Sequence, residues 1–196
     1  DNSSLMKPQK VYAELRKVMP RDAIIALDAG LAPNYGQDRL NYYEPKSLIT
    51  SLDLGGLGFS FPAAIGAKFA APDRPVINFN GDGGFLFNAQ EFSTAVQHNL
   101  PLVTVIMNNG IWGSEKAYQR YAFDERYVGA DVVNPRYDKY AEIFGGAGFY
   151  VERPEDIGNA LIEALNCGKP SIIEIPTDPD EMPRPARLNE VQGPTQ

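Results

Sequence analysis

Two rhythms alternate along this chain. Short apolar runs rich in β-branched and aromatic residues fall at Ala23–Leu27, Val76–Asn80, Leu102–Met107, Phe149–Val151 and Ser171–Ile175, and they predict buried strands. Between them, apolar residues recur at helical spacing. Val11, Leu15 and Val18 follow Pro8, while Ala89, Phe92, Ala95 and Val96 follow the second run. Tyr137, Tyr140, Ala141 and Phe144 form another such stripe, and Ile157, Leu161, Ala164 and Leu165 follow Pro154. Phe59–Phe69, with Pro62 in its first turn, predicts a helix of small residues. Ser47–Leu54 reads as a return to the sheet edge, and Ala32–Lys46 as a short helix or loop. Strand, helix and strand joined by short links are βαβ units, so the fold class is α/β with a mostly parallel sheet.

The stretch from Val76 to Gly113 concentrates the candidate chemistry. Its two strands end in Gly81-Asp82-Gly83-Gly84 and Asn108-Asn109-Gly110. If the strands are neighbours, both turns leave the same carboxyl edge, where open α/β sheets bind ligands. That edge then carries one carboxylate, Asp82, amide oxygens from Asn108 and Asn109, and glycines that allow close backbone approach. One carboxylate with neutral oxygens is too few for a closed protein cage. It suits Mg²⁺, which takes much of its oxygen shell from phosphate and water.

These residues carry a resemblance. Gly81-Asp82-Gly83 with Asn108-Asn109, preceded by Gly55-Gly56-Leu57-Gly58-Phe59-Ser60-Phe61-Pro62-Ala63-Ala64-Ile65-Gly66, resembles the thiamine-diphosphate-dependent enzymes. The likeness runs from about Lys7 to Ile175 and is greatest to the branch of acetolactate synthase, benzoylformate decarboxylase and sulfoacetaldehyde acetyltransferase. Trp112-Gly113-Ser114-Glu115-Lys116 leans toward the last of these. The resemblance implies a three-layer sandwich, a parallel sheet flanked by helices, that binds the cofactor's diphosphate through Mg²⁺. Asp82, Asn109 and the backbone oxygen of Ile111 would hold the metal. Gly30 and Leu31, Gly81, Gly83 and Gly84, and Gly113 and Ser114 would approach the diphosphate with backbone. Gly55 and Leu57 would lie under the aminopyrimidine, with the Leu57 side chain wedged between the cofactor's rings. Without the resemblance, Leu57 would read as core and Asp28-Ala29-Gly30-Leu31 as an ordinary turn. Trp112 reads equally as a substrate-pocket wall or as an interface or core residue.

The same resemblance implies decarboxylation of a small 2-oxo acid or carboligation from it. It also implies that the activating glutamate comes from a separate pyrimidine-binding domain or subunit, so no catalytic residue is assigned here. The chain is then expected to be a subunit or piece of an oligomeric enzyme. Its partner-facing surface would include the Gly55–Phe59 turn and the aromatic Tyr118–Tyr127 segment, and residues 118–134 read as a lid or partner surface because they lack periodicity.

Composition narrows the rest. The chain has 196 residues, 43% of them hydrophobic, enough for one domain with its own core. Residues 1–6 read as an N-terminal extension, 7–178 as the cofactor-binding domain and 179–196, rich in proline, as an extended or disordered tail. A net charge of −7 with no basic block argues against nucleic acid and anionic membrane as partners. The single cysteine, Cys167, and the absence of a signal peptide or spanning run point to the cytoplasm. One histidine, His98, leaves no basis for a zinc site or a Ser-His-Asp triad. An EF-hand reading of Asn78, Asn80 and Asp82 fails because Ala89 stands where the bidentate glutamate belongs. A nucleotide-binding Rossmann domain lacks its Gly-x-Gly-x-x-Gly. A module that keeps the fold but not the ligand remains the third alternative.

Overall fold

The computed structural model describes residues 5–51, 54–182 and 184–185. Expectations for residues 1–4, for Leu52 and Asp53, for Pro183 and for 186–196 lie outside the described residues. The strands β1 (Ile24–Leu27), β2 (Leu48–Thr50), β3 (Val76–Gly81), β4 (Val103–Asn108), β5 (Ala147–Tyr150) and β6 (Ser171–Pro176) form one sheet in the order β2-β1-β3-β4-β6-β5. All five pairings are parallel. The helices are α1 (Pro8–Leu15), α2 (Leu31–Asn34), α3 (Gly36–Arg39), α4 (Ser60–Ala70), α5 (Asp82–Leu86), α6 (Phe92–Gln97), α7 (Gly113–Ala122), α8 (Tyr137–Ile143) and α9 (Pro154–Asn166).

Period-two alternation sends strand side chains to two cores. Ile25, Leu27, Ile77, Phe79, Val103, Val105, Ile173 and Ile175 meet Val11, Tyr12 and Leu15 of α1 and Ile157, Leu161 and Ala164 of α9. Ile24, Ala26, Val76, Ile106 and Ile172 face the other way, onto Phe61, Ala64 and Ile65 of α4, Phe92 and Ala95 of α6 and Tyr137 and Ala141 of α8. Helix, sheet and helix make the three-layer α/β sandwich that the sequence implied. The second face also carries the buried polar residues Asn78, Asn80, Thr104 and Glu174. Burying an amide or carboxylate is costly unless it is hydrogen-bonded, and here Asn80 bonds Asp28 while Glu174 bonds Asn108, which ties this face to the site.

The strand order fixes where a ligand can enter. From β1 the chain moves outward to β2, then crosses back to place β3 on the other side of β1. This reversal opens a crevice beyond the carboxyl ends of β1 and β3, the usual ligand position in such sheets.

Some local expectations shift. The helix expected through Ala89–Val96 is interrupted: α5 begins at Asp82 itself, a 3₁₀ turn spans Ala89–Glu91, and α6 follows. The break falls at Asn88, which leaves helical conformation and donates its side-chain amide to the Gly58 carbonyl at 2.9 Å. Asp82-Gly83-Gly84 is therefore the first turn of a helix instead of a separate turn between strand and helix. Helix α1 ends at Leu15, and Val18 packs on the core from beyond its end. Strand β5 begins at Ala147, earlier than the apolar run suggested, and Val151 is buried past its end. Residues 118–122 are the second half of α7. At the other end, Met6 bridges Thr177, Gln9 Nε2 donates to Glu181 Oε1 at 2.8 Å, and Met182 is buried against Ile111, Ala117 and Leu31.

Candidate functional site

The crevice holds a cavity of about 310 Å³. Its lining comes from segments far apart in sequence: Gly30 and Leu31 after β1, Gly55 and Leu57 before α4, Gly81, Asp82, Gly83 and Gly84 after β3, and Asn109, Ile111, Trp112, Gly113 and Ser114 after β4. Every residue that the resemblance assigned to the cofactor, the metal or the substrate pocket meets here; Asn108 does not. The helix starts at Leu31, Asp82 and Gly113 converge on the cavity, and none of the three has a side-chain cap. Helix N-termini present free amides and the positive end of the dipole, a combination that favours anions.

Parallel register explains the cluster. Gly81 pairs with Met107, so Asp82 follows beside Asn108, at the end of the central pair. Gly110 has φ +69°, which glycine adopts without strain, and its N–H donates to Asp82 Oδ2 at 3.0 Å. Asn109 Oδ1 accepts from the Ile111 N–H at 3.3 Å, which folds the loop over Asp82 and leaves a second lone pair on that oxygen. Desolvation raises the Asp82 carboxyl pKa, opposed by the hydrogen bond from Asn134 and by backbone donors. Trp112 stands over Gly83 and meets Phe87 edge-on, with ring centroids 5.9 Å apart, so it forms one wall of the cavity.

Asn108 is not at the cavity. Its Nδ2 donates to Glu174 Oε1 at 2.8 Å and its Oδ1 accepts from Asn134 at 2.9 Å, so the expectation that it offers oxygen to a metal is corrected. Nor is Asp82 the only carboxylate at this edge. Glu115 also lines the cavity. Asp28 lies beneath the cavity floor, fully buried, and the register sets it beside Asn80 because Leu27 pairs with Phe79. Asp28 accepts from the Gly58 N–H (3.0 Å to Oδ2), the Ala29 N–H (2.7 Å) and the Asn80 amide. Burial pushes its pKa up to about 6 against these favourable hydrogen bonds. Asp28 thereby ties the turn after Leu57 to the strand bearing Asp82.

Sequence reasoning missed Asp28 and Asn134. Asn78 and Asn80 in an otherwise apolar strand were the signal available for Asp28, since buried amides require partners. Asn134 sits in an aperiodic stretch and gave no signal. The donors at the cavity are hard oxygens, and among the described residues no cluster of three or more His, Cys, Asp or Glu could cage a metal. This set fits a cation that brings most of its shell with an anionic ligand.

Fold and site together define an open-sheet α/β domain whose switch-point cavity is lined by helix starts, glycine-rich turns and the carboxylates of Asp82 and Glu115. The family of the thiamine pyrophosphate enzyme C-terminal TPP-binding domain matches residues 28–175. The chain belongs to this family. It is 32% identical to sulfoacetaldehyde acetyltransferase of Castellaniella defragrans, over 97% of the chain and 34% of that protein. It is 36% identical to a probable acetolactate synthase large subunit of Methanococcus aeolicus, over 89% of the chain and 30% of that protein. Among solved structures, the thiamine diphosphate-dependent 4-hydroxybenzoylformate decarboxylase of Rhodococcus jostii superposes with a TM-score of 0.85. That match has 30% identity and covers 92% of this chain and 34% of the other. The chain thus spans about a third of the length of the relatives it matches. Among the described residues no helix is long and apolar enough to cross a membrane.

Proposed function

We propose that this chain is the diphosphate- and Mg²⁺-binding part of a thiamine-diphosphate-dependent 2-oxo-acid decarboxylase or carboligase of the acetolactate synthase type. The observation that carries this reading is the convergence of three helix starts, the Asp82 carboxylate and the Asn109 loop on one cavity at the switch point. In this reading Asp82, Asn109 and the Ile111 carbonyl hold Mg²⁺, an assignment supported by the hard, incomplete donor set. The amides of Gly30, Leu31, Gly83, Gly84, Gly113 and Ser114 bind the phosphate oxygens, while Gly81 lets the strand end close to them. Bound there, thiamine diphosphate supplies a nucleophilic thiazolium carbon for addition to the carbonyl of a 2-oxo acid.

The chain's own residues bind, shape and shield. Leu57, anchored by the Gly58–Asp28 hydrogen bonds, is the wedge beneath the cofactor, with Gly55 leaving room for the pyrimidine. Trp112 walls the substrate side and excludes water. No acid here is assigned to the pyrimidine nitrogen; that carboxyl belongs to a pyrimidine-binding domain docked on the Gly55–Phe59 turn. Leu54, Phe59 and Phe87 expose apolar surface around that turn, which supports docking and an oligomeric enzyme. An exposed free thiol at Cys167 fits a cytoplasmic, reducing setting. The test is pyruvate decarboxylation and carboligation by the purified chain with cofactor and Mg²⁺, alone and mixed with pyrimidine-binding-domain chains of its relatives. The chain alone should show no sustained turnover, and a matching partner chain should restore it. Multiple turnover by the chain alone would contradict the division of labour.

A further inference from the structure

Asn134 is the residue through which the segment after α7 reaches Asp82. That segment is stitched to the loop beyond β4 on both sides of Ile111: the Trp112 N–H donates to the Ala130 carbonyl and the Val132 N–H to the Gly110 carbonyl, both at 2.8 Å. Two residues on, Asn134 Nδ2 donates to Asp82 Oδ2 at 2.6 Å and to Asn108 Oδ1 at 2.9 Å. Its own Oδ1 faces the Tyr137 hydroxyl at 2.8 Å, and that hydroxyl is also 2.9 Å from the Asp82 backbone oxygen. The amide has one workable orientation. Flipped, its oxygen would confront a carboxylate and an amide oxygen at once.

The supports of this amide are themselves hydrogen-bonded. Asn108 is held by Glu174 of β6, a buried carboxylate whose other oxygen accepts the Tyr137 N–H at 2.7 Å. Tyr137 is itself fully buried at the start of α8. The Asn134 and Gly110 donors fall on the same oxygen of Asp82, Oδ2. A neutral donor suits this position. An arginine or lysine would fix the same oxygen but cancel the charge a cation needs, whereas an amide orients the carboxylate and leaves its charge intact.

We propose that Asn134, oriented by the Tyr137 hydroxyl, is a positioning residue for the cation site. It ties down Asp82 Oδ2 so that Oδ1 is presented to the metal in one fixed direction. This rests on the reading of Asp82 as a metal ligand. Octahedral Mg²⁺ demands near-ideal ligand directions, while Ca²⁺ tolerates irregular ones. Loss of the tie must therefore weaken Mg²⁺ more than Ca²⁺, whereas a merely smaller folded fraction would weaken both alike.

The experiment titrates Mg²⁺, and separately Ca²⁺, into the full chain at saturating thiamine diphosphate, for the wild type, Asn134→Ala and Tyr137→Phe. Asn134→Ala should weaken Mg²⁺ by about 10- to 100-fold, the usual effect of removing an outer-shell partner, with a smaller loss for Ca²⁺. Tyr137→Phe keeps the buried ring and should shift the Mg²⁺-to-Ca²⁺ preference the same way by less. Unchanged Mg²⁺ affinity in both variants, or equal losses for both cations, would overturn the proposal while leaving the metal site standing. A wild type that binds the cofactor identically with and without Mg²⁺ would overturn the metal assignment, and this proposal with it.

Discussion

Replacing Gly83 by alanine tests the packing that shapes the cavity. A Cβ built on Gly83 would lie 2.6 Å from Trp112 Cζ3, 2.8 Å from Cη2 and 2.9 Å from Cε3. Carbon atoms settle at about 3.5–4.0 Å, so the ring must retreat by about 1 Å. Overpacking of this kind costs about 1–3 kcal/mol. Gly83 lies in the first turn of α5, where alanine regains up to about 1 kcal/mol of helix propensity. The Trp112 ring is half-buried and can move toward solvent, which puts the net cost at the low end, about 0–2 kcal/mol. For a chain of this size that lowers Tm by at most about 8 °C. Binding should suffer more than folding, because the retreating ring drags Ile111–Gly113, which carry the proposed metal carbonyl and a phosphate amide. Losing one hydrogen bond to a charged ligand costs about 1.5–3 kcal/mol, or about 10- to 100-fold in affinity. Trp112 is the sole tryptophan, so its fluorescence reports the displacement directly. A Gly83→Ala protein with wild-type emission and wild-type affinity for thiamine diphosphate would refute the argument.

Three further outcomes are expected. Asp28, with its pKa raised to about 6, binds its proton more tightly when folded than when unfolded. Its contribution to stability is therefore full below about pH 4, falls as pH rises to about 6, and above that leaves a cost on the order of 2–3 kcal/mol. Asp28→Asn should flatten the Tm profile between pH 4 and 6; an unchanged slope would show that Asp28 is not the titrating group. Leu57→Ala should reduce turnover of the reconstituted enzyme more than cofactor affinity, since a wedge shapes the ligand more than it attracts it. Lost affinity with preserved turnover at saturating cofactor would mark Leu57 as plain core. Asn109→Ala should weaken Mg²⁺-dependent cofactor binding by less than Asp82→Ala, because a neutral ligand is lost instead of a charge, as parallel titrations would show.

What the sequence revealed follows from how local its signals are. The βαβ unit from Val76 to Gly113 was legible because apolar runs and turn residues mark both strands, and β3 and β4 are indeed adjacent and parallel. The position of the cavity followed, since those strands end together. Contacts created by register were harder to see. Asp28 and Asn80 are 52 positions apart and meet only because β1 pairs with β3. Asn108 and Asn109 are neighbours in the chain, but strand alternation sends one to Glu174 and the other to the cavity. Helix ends were misjudged where side chains decide them, as at Asn88, whose bond to Gly58 stops the helix begun at Asp82.

The central claim is that the diphosphate is held through a cation on Asp82. The measurement that tests it most directly is calorimetric titration of the chain with thiamine diphosphate, with and without Mg²⁺, for the wild type and Asp82→Ala. The account predicts saturable binding by the wild type that is strongly enhanced by Mg²⁺, and loss of that enhancement in Asp82→Ala with native circular dichroism. Equal Mg²⁺-dependent affinity in the two proteins would contradict it.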